Sequence, residues 1–141
     1  KKAEAFSMNI NYFFLKKKNI KYKYFNNLKK MVQYVDYLVI TCAGGEKTKQ
    51  LINNEILSAM KKNAYLINVS RGSVVDEKSL LKSLKNKMIK GAALDVYENE
   101  PKINPLFKKL NNVILHPHHG SGTLETRKLM AELSAFNLVN L

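Results

Sequence analysis

Ala64-Tyr65-Leu66-Ile67-Asn68-Val69 is a short apolar run, and Ser70-Arg71-Gly72 follows it at once. A run of this length, bounded by polar residues and glycine, reads as a strand that ends on a turn. Just upstream, Asn54 to Met60 reads as a helix. Before it, Tyr37-Leu38-Val39-Ile40-Thr41 is a second strand, buried by its continuous apolar character. Downstream, Asp76 is placed as a helix N-cap, with Leu80, Leu81 and Leu84 forming an apolar face that ends near Asn86. Ile89 to Val96 and Val113 to Leu115 are further strands. Nearer the start, Asn9 to Phe14 reads as a strand and Leu28 to Val35 as a short helix. Thr123 to Val139 is a long helix, with Leu129, Met130, Leu133 and Phe136 spaced for burial. Short apolar runs alternating with amphipathic segments argue for the α/β class, with helices packed on a parallel sheet.

The 141 residues are one domain's worth, and 45% hydrophobic against 25% charged residues is enough for a real core. No repeat, low-complexity linker or domain boundary breaks the chain, and Pro101 to Leu110 is its one irregular stretch. Ala3-Glu4-Ala5-Phe6 reads as the tail of a helix that begins earlier, so the domain is expected to be incomplete at its N-terminus. No apolar run approaches the roughly 20 residues of a membrane span, and the opening residues lack a signal peptide's hydrophobic stretch. A single cysteine, Cys42, cannot form an internal disulfide and fits a reducing, cytoplasmic address. The net charge of +13 suggests nucleic acid, yet of 24 basic residues only Arg71 and Arg127 are arginines. The rest are lysines scattered along a chain that is also rich in asparagine. Codons for both residues are A-rich, so genome composition accounts for the charge and no nucleic-acid partner is expected.

Chemistry gathers at three strand ends: Arg71 after Ala64–Val69, Asp95 to Pro101 after the Ile89 strand, and Pro117-His118-His119-Gly120 after Val113–Leu115. A doubly wound sheet binds ligands beyond the carboxyl ends of its strands, so all three belong to one cleft. Arg71 offers a planar fork for a carboxylate. His118 is a side chain suited to moving a proton at neutral pH, and an acid such as Glu100 beside it favours its charged form. Read alone, Arg71 is as well explained as a surface or capping arginine, and Asp95 as a turn cap. His116, His118 and His119 raise the question of a metal. Successive histidines at a strand end cannot all face one ion, and no metal is expected. Glu98 and Glu100 both remain open for the acid role. Cys42 ends a strand and reads as packing, without a base to activate it.

With these motifs placed, the chain resembles the nucleotide-binding domain of the D-isomer-specific 2-hydroxyacid dehydrogenase family, along essentially its full length. Leu66 to Glu77, Gly91 to Pro101 and Pro117 to Arg127 carry the resemblance, and the last points to the glyoxylate/hydroxypyruvate reductase branch. The resemblance implies a Rossmann-type fold and an NAD(P)H-dependent reduction of small 2-oxo acids to 2-hydroxy acids by hydride transfer. It implies that Arg71 binds the substrate carboxylate and carbonyl, and that His118 protonates the carbonyl oxygen. Glu100, the acid before Pro101, would hydrogen-bond that histidine. Asp95 would hold the nicotinamide carboxamide. Val69, Ser70 and Gly120 would line the cofactor largely through backbone groups, with Arg71, His118 and, at the end of its strand, Cys42 beside it. A homodimer of the full-length protein is also implied.

The sequence departs from the family in places. The family's glycine-rich turn and its separate substrate domain have no counterpart in this chain. After Asn9–Phe14 there is neither an acid for a ribose hydroxyl nor an arginine for a 2′-phosphate. Lys16, Lys17 and Lys18 stand there instead and supply positive charge, which favours NADP over NAD. Gly44-Gly45 falls where the family carries a bulkier residue and a threonine, and is expected to loosen the adenine-side loop. Three rival readings stay open: a cofactor-sensing binding protein, a non-catalytic fragment of the same family, and a different substrate within the family, such as phosphoglycerate or a hydrophobic oxo acid.

Overall fold

Tyr37–Ile40 (β3), Tyr65–Asn68 (β4), Gly91–Leu94 (β5) and Val113–Leu115 (β6) pair side by side in chain order, all parallel, in the computed structural model. The structure describes residues 1–140. Parallel neighbours need a crossover between them. Asn54–Ala59 (α3) supplies it between β3 and β4, and Glu77–Lys85 (α4) between β4 and β5. The irregular stretch from Pro101 to Leu110 joins β5 to β6 and is pinned by Phe107, which is fully buried.

Both helices begin on side-chain caps. Asn53 accepts a hydrogen bond from the N–H of Ile56, and Asp76 accepts from Lys78 and Ser79. At 6 and 9 residues they are too short to persist on propensity, and packing holds them. Leu57, Leu66, Leu80 and Leu84 are sealed from solvent. Burial of each such side chain contributes about 1.5–3 kcal/mol.

The opposite sheet face is another matter. Val39, Ile67, Ala93 and Ile114 share one row across the strands, and Val39 is 51% and Ile114 70% exposed. Strand β3 therefore alternates exposed and buried positions, where its apolar character suggested burial on both sides. Hydrophobicity marked the strand correctly but could not report that no described element covers this face. The long helix Leu124–Val139 (α5) shows the same effect. It forms over the expected span on a Thr123 cap, yet Leu129, Met130, Leu133 and Phe136 are all exposed. Their spacing predicted burial, and among the described residues nothing packs on them.

The N-terminal region forms a separate parallel pair, Asn11–Phe13 (β1) with Lys23–Phe25 (β2). Sequence reading anticipates β1 but not β2. Lys2–Ala5 (α1) opens the chain, and Leu28–Val32 (α2) packs on β1, β2 and α3, tying the two sheets into one body. The fold is α/β with parallel sheets, as expected, but the strands divide into two sheets rather than one. Among the described residues no helix is long and apolar enough to cross a membrane.

Candidate active site

Strand β4 ends on Asn68, a polar residue placed on the buried side of an otherwise apolar strand. Its side chain accepts from the Ser70 N–H at 3.0 Å and donates to the Arg71 carbonyl at 3.1 Å, which folds the chain into a tight turn. Ser70 is buried and its hydroxyl donates to the Cys42 carbonyl, joining the ends of β3 and β4. Beyond them the two loops run side by side: Gln50 N–H donates to Ser73, Ile52 to Val74, and Asp76 back to Ile52. The Arg71 side chain emerges from this frame and its Nη1 donates to the Ser70 carbonyl at 2.7 Å.

Gly72, next in line, is buried against another backbone. A Cβ there would lie 1.9 Å from the Tyr97 carbonyl carbon and 2.4 Å from the Glu98 nitrogen. Only glycine lets the β4 turn touch the segment after β5 so closely. That contact brings the arginine loop next to Glu98 and Glu100.

At the end of β5, Asp95 gathers the histidine loop. Its Oδ1 lies 2.6 Å from His116 Nδ1 and accepts from the His119 N–H at 2.7 Å. Its Oδ2 accepts from the Gly120 N–H at 2.8 Å. Burial opposes ionisation of Asp95, but the His116 ring and the two N–H groups outweigh it, so its carboxyl lies below the usual carboxylate range. Between these clamped neighbours His118 sits at φ 55°, a left-handed conformation that costs free energy for a residue with a side chain.

His118 Nδ1 lies 2.7 Å from Glu100 Oε2, and Glu100 Oε1 accepts from the Tyr97 N–H at 2.8 Å. Burial again acts upward on the Glu100 carboxyl. The His118 bond, the Tyr97 N–H and the nearby Arg71 charge prevail, and it too is held low. Glu98 does not reach the histidine in this way: its backbone N–H donates to the buried Glu77 carboxylate. The geometry thus separates two acids that sequence spacing could not. With Nδ1 engaged by Glu100, His118 keeps Nε2 without a hydrogen-bond partner among the described residues.

The cleft itself, of about 830 Å³, opens between the β3, β4 and β5 ends, with Cys42, Gly44, Val69, Arg71, Glu98 and Glu100 on its walls. A fixed cationic fork, a histidine oriented by a carboxylate and strand-end backbone groups suit a small carboxylate whose neighbouring carbonyl or hydroxyl oxygen exchanges a proton. His116 and His119 are drawn to Asp95, their rings edge to face at 5.8 Å. Among the described residues no group of three or more histidine, cysteine or acidic side chains could hold a metal. Lys16 lies exposed in the segment after β1, which belongs to the two-stranded sheet rather than to the four-stranded one. That segment is closed by Tyr12, whose hydroxyl donates to the Lys18 carbonyl and accepts from its N–H.

Sequence reading missed Asn68, Tyr97 and Glu77. Asn68 carried a visible signal, being a polar residue on the inward side of an apolar strand. Tyr97 carried none, because its hydroxyl donates to the Leu94 and His116 carbonyls, the second 19 positions away. Gly44, in the loop after β3, lies against the Arg71 stem.

The family model for "D-isomer specific 2-hydroxyacid dehydrogenase, NAD binding domain" matches residues 1–120. The chain is 40% identical over 140 residues to a 2-ketogluconate reductase of Gluconobacter oxydans, covering 99% of this chain and 45% of that protein. It is 42% identical over 139 residues to a glyoxylate/hydroxypyruvate reductase A of Arabidopsis thaliana, covering 98% and 44%. Its fold superposes with TM-score 0.91, at 38% identity, on an NADPH-dependent glyoxylate/hydroxypyruvate reductase of Sinorhizobium meliloti solved with NADP and malonate. That match covers 94% of this chain and 42% of the other. The chain therefore spans less than half the length of these relatives.

Proposed function

Because the chain belongs to the D-isomer-specific 2-hydroxyacid dehydrogenase family, through its NAD-binding domain, we propose that the full-length protein containing it is an NAD(P)H-dependent reductase of small 2-oxo acids. Glyoxylate and hydroxypyruvate are the favoured substrates, and they yield the 2-hydroxy acids. The observation that carries the reading is the His118–Glu100 pair, 2.7 Å apart, with Glu100 on the wall of the cleft that Arg71 also lines.

In this reading the Arg71 fork grips the substrate carboxylate and faces its carbonyl. His118 delivers a proton from Nε2 to the carbonyl oxygen, and Glu100 on Nδ1 fixes the ring and stabilises its protonated form. The reverse oxidation uses the same histidine as base. A nicotinamide cofactor, when bound, supplies the hydride. The donor set suits one. Backbone groups of Cys42, Val69, Ser70 and Gly120 stand at strand ends, and Lys16, Lys17 and Lys18 offer charge for a 2′-phosphate, which supports NADP over NAD. Asp95 accepts three hydrogen bonds already. A carboxylate has roughly four acceptor sites, so about one is left for a carboxamide N–H.

The split into two sheets supports reading this chain as part of a nucleotide-binding domain. In the common doubly wound order 3-2-1-4-5-6, one strand lies between the pair formed here by β1 and β2 and the sheet that starts at β3. The glycine-rich turn and the substrate domain would then belong to the rest of the protein. The same reading includes a homodimer, supported by the apolar face of α5, and a cytoplasmic site of action, supported by the single free cysteine.

The test follows NADPH and NADH absorbance with the full-length protein and glyoxylate, hydroxypyruvate or a bulkier 2-oxo acid. Oxidation by the two small acids is expected, faster with NADPH. Cofactor binding without oxidation by any acid would overturn the reductase reading and turn the assignment to a cofactor-sensing protein.

A further inference from the structure

Glu77 is the first residue of α4, and it is only 8% exposed. The helix does not need a buried acid there. Asp76 already caps the first turn, accepting from the Lys78 and Ser79 N–H groups and from the Ser79 hydroxyl. A helix N-terminus favours a carboxylate, yet burying one still costs free energy that its partners must offset. Among the described residues the Glu77 side chain makes one hydrogen bond, and that bond leaves its own element. Its Oε1 accepts from the Glu98 N–H at 3.0 Å, 21 positions away.

The bond lands on one particular peptide. Glu98 N–H belongs to the unit whose other half is the Tyr97 carbonyl, and Gly72 packs its backbone against that same unit. The preceding amide is held as well: Tyr97 N–H donates to Glu100 Oε1 at 2.8 Å. Consecutive amides thus point to two carboxylates, one from the acid of the turn itself and one from α4. Contact with Gly72 limits how close the turn comes but leaves its peptide free to tilt. The bond to Glu77 fixes the tilt, because an N–H···O bond weakens steeply as it bends. Two residues further on, Glu100 Oε2 lies 2.7 Å from His118 Nδ1. A rotation of the 97–98 peptide is carried along the chain into that contact.

We propose that Glu77 is a positioning residue for the His118–Glu100 pair: by accepting the Glu98 N–H, it fixes the turn that presents Glu100 to the histidine. The inference rests on the reading of His118 as proton donor. It goes further by giving turnover a contribution from an acid on α4 that is not among the cleft walls. What counts at this position is an acceptor oxygen rather than a negative charge. Leaving the partly buried N–H without a partner costs about tenfold in the equilibrium that keeps the turn in place.

The experiment compares two variants of the full-length enzyme. Glu77→Leu fills the space without an acceptor, and Glu77→Gln keeps an acceptor oxygen without the charge. Glu77→Ala removes the acceptor with less bulk and stands in for the leucine if that variant does not fold. Glu77→Leu is expected to lower kcat for the 2-oxo acid by about tenfold, with KM and the cofactor dissociation constant within about twofold. Glu77→Gln should recover kcat to within about threefold of wild type. The alkaline fall of turnover, where His118 gives up its proton, should move to lower pH in Glu77→Leu and in Glu100→Ala. In Glu77→Gln it should stay in place. A residue that merely held the domain together would lower the denaturation midpoint without moving that limb. Adding Glu77→Leu to Glu100→Ala should change kcat by no more than about twofold, because no acid remains to be placed.

A glutamine variant as impaired as the leucine one, equal losses with and without Glu100, or a raised KM with kcat kept would each overturn the proposal. If Glu100→Ala itself leaves kcat and the alkaline limb unchanged, the reading of the pair falls and this inference with it. A strong Glu100→Ala effect beside a silent Glu77→Leu sinks the inference alone.

Discussion

Replacing Gly72 by alanine should disable the site from a position that carries no chemistry. The new Cβ would stand 1.9 Å from the Tyr97 carbonyl carbon, 2.0 Å from its oxygen and 2.4 Å from the Glu98 nitrogen. Ordinary carbon contacts require the two segments to part by roughly 1.5 Å. Both sides are backbone, so no rotamer change relieves the overlap. Overpacking costs about 1–3 kcal/mol where side chains can adapt, and the upper end applies here. The load falls on two readable amides: Tyr97 N–H, bonded to Glu100 at 2.8 Å, and Glu98 N–H, bonded to Glu77 at 3.0 Å. About 3 kcal/mol is roughly 100-fold in a local opening equilibrium, so hydrogen-exchange protection of these amides should fall about that much. Because Tyr97 orients Glu100, and Glu100 meets His118, kcat/KM should fall by about two orders of magnitude as well. The reasoning is refuted if the variant keeps native protection at both amides and full activity.

Other outcomes are equally specific. His118→Ala should lower turnover by about 10²–10⁴-fold in single-turnover assays while cofactor affinity, followed by fluorescence titration, is kept; unchanged turnover removes the proton-donor assignment. Asp95 ionises below the usual carboxylate range, so its hold on the histidine loop is present above its unfolded pKa of about 4 and is lost as pH falls through the lower folded value. Protection of the His119 and Gly120 amides, scaled to the sealed Leu66, should therefore be flat near neutrality and drop in acid below about pH 4; a drop already near neutral pH would contradict this. Asp76→Ala should cost about 1 kcal/mol through loss of the α4 cap, read as a lower denaturation midpoint, and a neutral result would deny the cap its role.

Much of the fold was legible because its signals are local. The spans of α5 and β6, the Asp76 cap and the positions of β3, β4 and β5 follow from periodicity and capping chemistry within a few residues. The α2 helix ends three residues earlier than read, at Val32, and β2 escaped notice as a three-residue strand at Lys23–Phe25 among lysines and tyrosines. Arg71, Asp95, Glu100 and His118 could be nominated because each follows a strand, and ligands gather beyond strand ends. Their partners could not be read the same way.

By itself, the sequence determined the α/β class and the parallel strands and nominated polar groups at the strand ends, since apolar periodicity and residue chemistry are written into consecutive positions. Tertiary structure alone decided that Asp95 gathers His116, His119 and Gly120, that Gly44 lies under Arg71, and that among the described residues α5 and one sheet face stay uncovered; it also sets Glu100 rather than Glu98 against His118, which spacing left open. The reason is sequence distance. The His118–Glu100 and Asp95–Gly120 bonds join residues 18 and 25 positions apart, and no pattern within one element can encode which of two nearby side chains the packed sheet will bring into contact.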